Sequence, residues 1–500
     1  MLISWHVQSS IAVGHACLFR GLKQRDTIIA NREPGVSEHG SGDNPHTRKL
    51  AKFISGLRYE DIPPPVIERI KLLMLDSLGC ALYGANLEWC RILRGSLLDL
   101  DQTRTTSVWG TGHKLSSPHA ALLNGTQIQG FELDDVHRQG VLHVGAVTLP
   151  ALIAVAESHR TLTGREFLAA AVAGYEVGPR VGLCMGQEHI GQGWHSGATV
   201  GVFSAAAGAS RGLGLDAETT VHALGIAGTQ SAGLMAAQYG AMVKRMHAGR
   251  SSQSGLYGAL FANAGFTGIV DIFEAPYGGF CTTFSRSSDR FKLDELSAAL
   301  GERYETMRVS LKFYACVGSN HTTLDAIRDI QARRPFTVAD LNKIVVHGSQ
   351  VTADHVGWPY RPEGLTSAQL NLPFCVATLL LEGDVFVDQF KPEAVDNAER
   401  IALSRKVEVV QDPAITALGS KFRHQVRVDV HLNDGSVHSE TREAPRGSET
   451  SFATAEDIVD KFRKLSRGVL SSAKQQSLID AMLGLEQLEN ARELARLLTA

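Results

Sequence analysis

From about Arg48 to Asn263, apolar positions recur at helical spacing, and many of the segments they mark carry Ala, Gly and Ser on every face. Pro63–Pro65 opens the first clear helix, with Val66, Ile70, Leu73, Met74 and Leu78 on one stripe. The same pattern predicts helices over Ser117–Gln129, Val147–His159, Gly164–Val177, Gly197–Leu213, Ala217–Ala232 and Ser251–Asn263. A helix that is small and apolar all round is buried among other helices at short range, so this half reads as a tightly packed bundle. Beyond about Arg290 the character changes. His424–Leu432 alternates with period two, and Asn433-Asp434-Gly435 turns it into a second strand at Ser436–Arg442. Asn342–Val351 and Ser404–Val410 also predict strands, with helices over Asn320–Ala332 and Ser367–Glu382 between them. Thr454, with Asp457 three residues on, marks a capping box that returns the chain to helix. The expected fold class is mainly α with an α+β lid. Its expected parts are a flexible extension over 1–46, a helical domain over 47–290, an α+β lid over 291–446, and C-terminal helices over 447–500 that return to the helical domain.

Composition narrows the partners. With 500 residues, 44% hydrophobic and 20% charged, the chain has material for a large core and more than one domain. A net charge of −3 without a basic block argues against nucleic acid. The longest weakly polar run, Ala198 to Ser210, is too short for a membrane span, which needs roughly 18 residues. Seven scattered cysteines, never spaced as C-x-x-C, read as free thiols in a reducing compartment and argue against an iron–sulfur cluster. No metal or nucleotide motif is present, so no metal and no cofactor is expected. Met1–Arg25 carries Arg20, Lys23 and Arg25 with no acid before Asp26. That is the bias of a mitochondrial transit peptide; the expected location is otherwise cytoplasmic.

Against this small-residue background, four clusters of ionisable residues stand out. Glu132, Asp134, Asp135, His137 and His143 form the first, and His195 in G-W-H the second. Lys244 and His247 share a helical face three residues apart, with Arg250 one turn on, and Lys312 precedes Tyr314. Charge in apolar surroundings is costly unless paired, so four such clusters point to one composite site. It holds acid/base groups and cations, but no nucleophile triad and no phosphate loop, which suits a small polycarboxylate. His143 and His195 are the candidate proton-transfer groups, with Asp134 and Asp135 orienting His143. Lys244 and Lys312 are the candidate carboxylate holders. His321 is a weaker candidate, and Asp76, in an apolar helix, reads as a structural buried acid.

These pieces, in this order, resemble the MmgE/PrpD family of 2-methylcitrate dehydratases, cis-aconitate decarboxylases and iminodisuccinate epimerases. The resemblance is carried by D-S-L-G-C at Asp76–Cys80, E-L-D-D-x-H at Glu132–His137, G-W-H at Gly193–His195 and A-L-G-I-A-G-T-Q at Ala223–Gln230. To these add G-x-M-x-K-R-x-H at Gly240–His247 and K-x-Y-x-C at Lys312–Cys316. It implies a helical domain with an α+β lid, a homodimer, and catalysis without metal or organic cofactor. It also implies that Asp134 or Glu132, His143, His195, Lys244 and Lys312 line the pocket, with Asp135, His137, His247, Arg250 and Tyr314 on its substrate-binding side. The dehydratases carry G-H-P-S-D-N where this chain has L-H-V-G-A at Leu142–Ala146, and the remaining pieces look closer to one branch of the decarboxylases. The expected activity is therefore a cofactor-independent, cis-aconitate decarboxylase-like lyase, with dehydration or epimerisation of a related acid as alternatives.

Overall fold

The computed structural model describes residues 45–499, apart from 187, 239–240 and 420–421. The expected flexible extension therefore lies outside the described residues, except for Pro45 and His46, which open the helix Pro45–Gly56. Gly240 of the K-R-x-H motif also lies outside them. The architecture is a helical domain joined to a smaller α+β domain. Among the described residues, no helix is long and apolar enough to cross a membrane.

The helical domain is built on helices that pack backbone to backbone. Every residue from Val144 to Glu157 is buried in the helix Val144–Ser158, which packs against Ser117–Ile128, Gly164–Met185 and Gly201–Leu213. Small residues set the spacing. A Cβ on Gly249 would stand 1.9 Å from Leu122 O, and one on Gly125 would stand 2.6 Å from Gly249 Cα. The helices Ser117–Ile128 and Val243–Asn263 thus cross in direct contact, and Ala248 N donates to Gln129 Oε1 at 3.3 Å. This crossing sets the C-terminal end of the first helix beside the N-terminal end of the second.

Several helices differ from their sequence pattern: the expected Gly197–Leu213 is two, Ser196–Thr199 and Gly201–Leu213, and the expected Ala217–Ala232 ends at Gly228. Gly164–Met185 runs through Gly178 and Pro179 rather than stopping at Val177. There the missing side chain is needed, because a Cβ on Gly178 would meet Leu142 Cδ2 and Ser204 Cβ, each at 2.6 Å. Val243–Asn263 begins eight residues before the expected Ser251. Its first turns hold Lys244, Arg245 and His247, which break the apolar period although two of the three are buried. The expected helix over Ser367–Glu382 is two helices, Leu365–Leu370 and Leu372–Glu382. Asn371 divides them by capping the second, its side chain accepting from Phe374 N.

The α+β domain holds a four-stranded sheet in the order Val407–Gln411, Leu341–Gly348, Val426–Leu432, Val437–Arg442. The first pair is parallel and the other two are antiparallel. Val426, Val428, Val430 and Leu432 are buried, and the helix Gly318–Arg333 packs on the last two strands. Gly435, at φ 86°, closes the expected hairpin. A second, two-residue ladder matters more for the site: Val136 pairs antiparallel with Ser310, and His137 with Val309. Continuing that register by two residues sets Asp134 opposite Lys312.

The Gly125–Gly249 contact generates a prediction. Gly249→Ala, whose methyl group would meet backbone that cannot rotate away, is expected to cost about 3 kcal/mol in urea denaturation. A wild-type midpoint would show that the two helices separate without penalty.

Candidate active site

Glu132 ends the helical turn Gln129–Phe131 with φ 59°, a left-handed backbone that a glutamate rarely adopts. Its carboxylate accepts from Lys244 Nζ at 2.5 Å and Arg245 Nη1 at 2.6 Å through Oε1, and from Lys312 Nζ at 3.4 Å through Oε2. Lys312 Nζ also lies 3.9 Å from Asp134 Oδ1, as the ladder register requires. Burial alone would raise the Glu132 carboxyl, but Lys244, Lys312 and Arg245 outweigh it and hold the group well below the usual range. Burial likewise lowers the Lys244 ammonium, with Glu132 opposing. Two of these cations sit in the first turn of Val243–Asn263, where the positive end of the helix dipole disfavours them. Glu132 compensates both.

The histidines stand at helix N-termini. His143 precedes Val144–Ser158, and its Nδ1 meets Asp134 Oδ2 at 2.8 Å. Burial raises Asp134, but the charge and hydrogen bond of His143 and then Lys312 bring it below its ordinary value. His195 precedes the short helix Ser196–Thr199, which leads into Gly201–Leu213, and its backbone is fixed by a hydrogen bond to Gly233 O at 3.1 Å. Its Nδ1 lies 3.2 Å from His247 Nδ1, so one ring donates to the other and at least one is neutral. Burial, then Lys244, keeps the imidazoles of both His195 and His247 low.

The structure thus brings together Glu132, Asp134, His143, His195, Lys244, His247 and Lys312, and turns the other candidates elsewhere. Asp135 accepts from Gly145 N at 2.9 Å and from the Tyr175 hydroxyl at 3.0 Å. It anchors the turn behind His143, and burial pushes its carboxyl up to about 7. His137 pairs with buried Glu305 at 3.0 Å. The Tyr314 hydroxyl donates to Asp325 at 2.6 Å, and His321 Nε2 meets Cys316 O at 3.1 Å. Arg250 is exposed and donates to Gln253, because the helix turns it away from the face that carries Lys244 and His247. Arg245, which the sequence motif contains but does not single out, meets Glu132 instead. Gln369 was also missed. It is fully buried, donates to Phe131 O at 3.3 Å and Ala315 O at 2.8 Å, and accepts from Arg245 Nη2 at 3.4 Å. It thereby ties the α+β domain to both sides of the cluster.

Three cations facing two carboxylates leave the cluster with net positive charge, suited to a polyanion. A histidine oriented by a carboxylate stands beside it as a proton donor or acceptor. Among the described residues, no group of three or more His, Cys, Asp or Glu side chains converges as metal ligands do.

Comparison with known proteins gives the family. Residues 48–292 match the model of the MmgE/PrpD N-terminal domain, and residues 314–487 that of the MmgE/PrpD C-terminal domain. The chain is 36% identical over 470 residues to the cis-aconitate decarboxylase-like protein oryM of Aspergillus oryzae, covering 91% of this chain and 97% of that protein. It is 33% identical over 475 residues to the cis-aconitate decarboxylase of Aspergillus terreus, covering 90% and 95%. The human cis-aconitate decarboxylase is 28% identical over 466 residues, covering 90% and 94%.

Glu132→Gln removes the shared counter-ion and leaves buried cations uncompensated. It is expected to cost about 3–5 kcal/mol in urea denaturation; an unchanged midpoint would contradict the pairing. Burial also lowers His189 and His321, each to about 4, along with His137, His195, His247 and His424. A lowered folded pKa stabilises above the unfolded value of about 6.5, and that stability is lost as pH falls toward 4. Asp135 and Glu176, both raised to about 7, act in the opposite sense but are fewer. The melting temperature is therefore expected to fall between pH 7 and pH 5, and a rise over that interval would contradict this balance.

Proposed function

The chain belongs to the MmgE/PrpD family, and on that premise we propose that it is a lyase that decarboxylates cis-aconitate without a cofactor. One observation carries the reading: Lys244, Arg245 and Lys312 converge on buried Glu132 beside the Asp134–His143 pair. The names of the relatives, at 33–36% identity over nine-tenths of the chain, support the substrate.

The chemistry has two needs that this arrangement meets. Loss of CO2 from the CH2-carboxylate breaks a C–C bond and leaves its electron pair in an allylic system. The charge spreads into the carboxylate on the former vinylic carbon, and protonation of that carbon gives itaconate. Lys244, Lys312 and Arg245 hold the retained carboxylates and stabilise the developing charge, in a setting where little water competes. His143, oriented by Asp134, is the proton donor in this reading. His195 and His247 pair with one another, and burial and then Lys244 disfavour their charged forms. Net one proton is consumed and one CO2 released, so no oxidant, metal or organic cofactor enters the balance.

The reading includes a homodimer, supported by exposed apolar surface near the C-terminal end of Val243–Asn263. Phe261 is 45% exposed and Phe266 66%, with Phe261 against Phe266 and Tyr257 stacked on Phe261. Surfaces of this kind are usually covered by a partner.

Proton NMR of the purified protein with cis-aconitate is expected to show the itaconate methylene signals. His143→Ala, His195→Ala and Lys312→Ala are each expected to lower kcat by roughly 100-fold or more. New vinyl signals from citrate or 2-methylcitrate, with cis-aconitate untouched, would replace this reading with a dehydratase. Racemisation of a substrate without change of mass would replace it with an epimerase.

A further inference from the structure

The helix Ala455–Ser466 comes from the far end of the chain, yet Lys461 on it lies directly beneath the loop that carries Glu132 and Asp134. Lys461 Nζ donates at 2.7 Å to Leu133 O, the carbonyl between those two residues. It also pairs with Asp76 Oδ1 at 2.6 Å, the two side chains being 2% and 0% exposed. The same ammonium stands 5.6 Å from the ring centre of Phe313, the neighbour of Lys312. One buried cation therefore touches the backbone of one site-bearing segment and the ring beside the other.

The loop needs such a hold. Glu132 sits at φ 59°, a conformation that the residue does not favour and that persists only when its surroundings fix it. Asp134 Oδ1 is buried without a hydrogen bond, its nearest cation being Lys312 at 3.9 Å. The aim of Asp134 toward His143 is thus set largely by the backbone on either side of it. Rotation of the Leu133 peptide would turn Glu132 and Asp134 away from one another.

We propose that Lys461 is a positioning residue for the reaction. It holds the Leu133 carbonyl so that Glu132 meets the cations and Asp134 meets His143, with Asp76 as its fixed counter-ion. This rests on the lyase reading above, in which Asp134 and His143 form the proton-transfer pair. Asp76 keeps the structural part of a buried counter-ion to Lys461. Burial works against the charge on Lys461, but Asp76 more than restores it, so the ammonium stays charged. A neutral amine would still donate to Leu133 O.

That last point separates positioning from stapling. Asp76→Asn keeps the hydrogen bond to Leu133 O and weakens the ion pair. Asp76→Leu/Lys461→Met removes both charges together, so that neither member of the pair is left buried without the other. Wild type and both variants are melted, assayed for kcat and KM with cis-aconitate, and read without substrate by NMR of 13C-labelled histidine. Asp76→Asn is expected to lower the melting temperature and leave kcat near wild type, with the His143 resonance unmoved. The double variant is expected to melt near wild type yet lose kcat by roughly 100-fold at little-changed KM, the effect of a misplacement near 1 Å. Its His143 resonance shifts. Should the double variant fail to fold, Asp76→Asn/Lys461→Met carries the same comparison with a polar neighbour retained. A folded variant lacking Lys461 that keeps wild-type kcat and an unmoved His143 resonance would overturn the proposal. Inactive wild type would overturn the decarboxylase reading, and the His143 resonance would still decide the role of Lys461.

Discussion

A single carboxylate, Glu132, balances three cations that arrive from two distant parts of the chain. Lys244 and Arg245 begin one helix, and Lys312 extends from a two-residue strand, so no local interaction brings them together. Each would be costly to bury alone, and the pair at the helix N-terminus would be disfavoured further by the backbone dipole. With Glu132 among them they are tolerated, and the cluster retains a net positive charge. Both the α+β domain and the helical domain are held to this point, because Gln369 joins Arg245 to Phe131 O and Ala315 O.

Packing places the charges. The Gly125–Gly249 contact lets two helix backbones touch, which carries the end of Ser117–Ile128 and the start of Val243–Asn263 to within side-chain reach. The Val136–Ser310 ladder does the same for Asp134 and Lys312. Strain is concentrated where these constraints meet: Glu132 and Val141, at φ 59° and 51°, flank the acidic loop on the way to His143. Non-glycine residues held in this region cluster at functional sites because surrounding contacts over-determine them.

Much of this was legible in the sequence, for physical reasons that can be named. The alternation in Val426–Leu432, the Asn-Asp-Gly turn and the Thr454–Asp457 capping box report local preferences and appear where the pattern puts them, while the small-residue helices are found with shifted ends. Charge in apolar company exposed His143, His195, Lys244 and Lys312. Arg245 was not legible, because adjacent Lys and Arg look alike in sequence until the helix phase is known. The early start at Val243 was hidden for the same reason, since its charges are neutralised by a residue 112 positions away in the Lys244–Glu132 bond. Arg250 shows the converse error, a cation at plausible spacing that the true helix phase turns outward. His137, Asp135 and Tyr314 share motifs with site residues yet serve neighbours: Glu305, Gly145 N and Asp325. A motif fixes which residues travel together, and only the fold decides which of them face the same space.

The central claim, that the Glu132 cluster receives a polycarboxylate, is tested most directly by a crystal structure with propane-1,2,3-tricarboxylate, the saturated and unreactive analogue of cis-aconitate. The account predicts its carboxylates within hydrogen-bond distance of Lys244, Lys312 and Arg245, and a backbone carbon facing His143. A tricarboxylate bound elsewhere, with the Glu132 contacts unaltered and the cluster closed to it, would contradict the account.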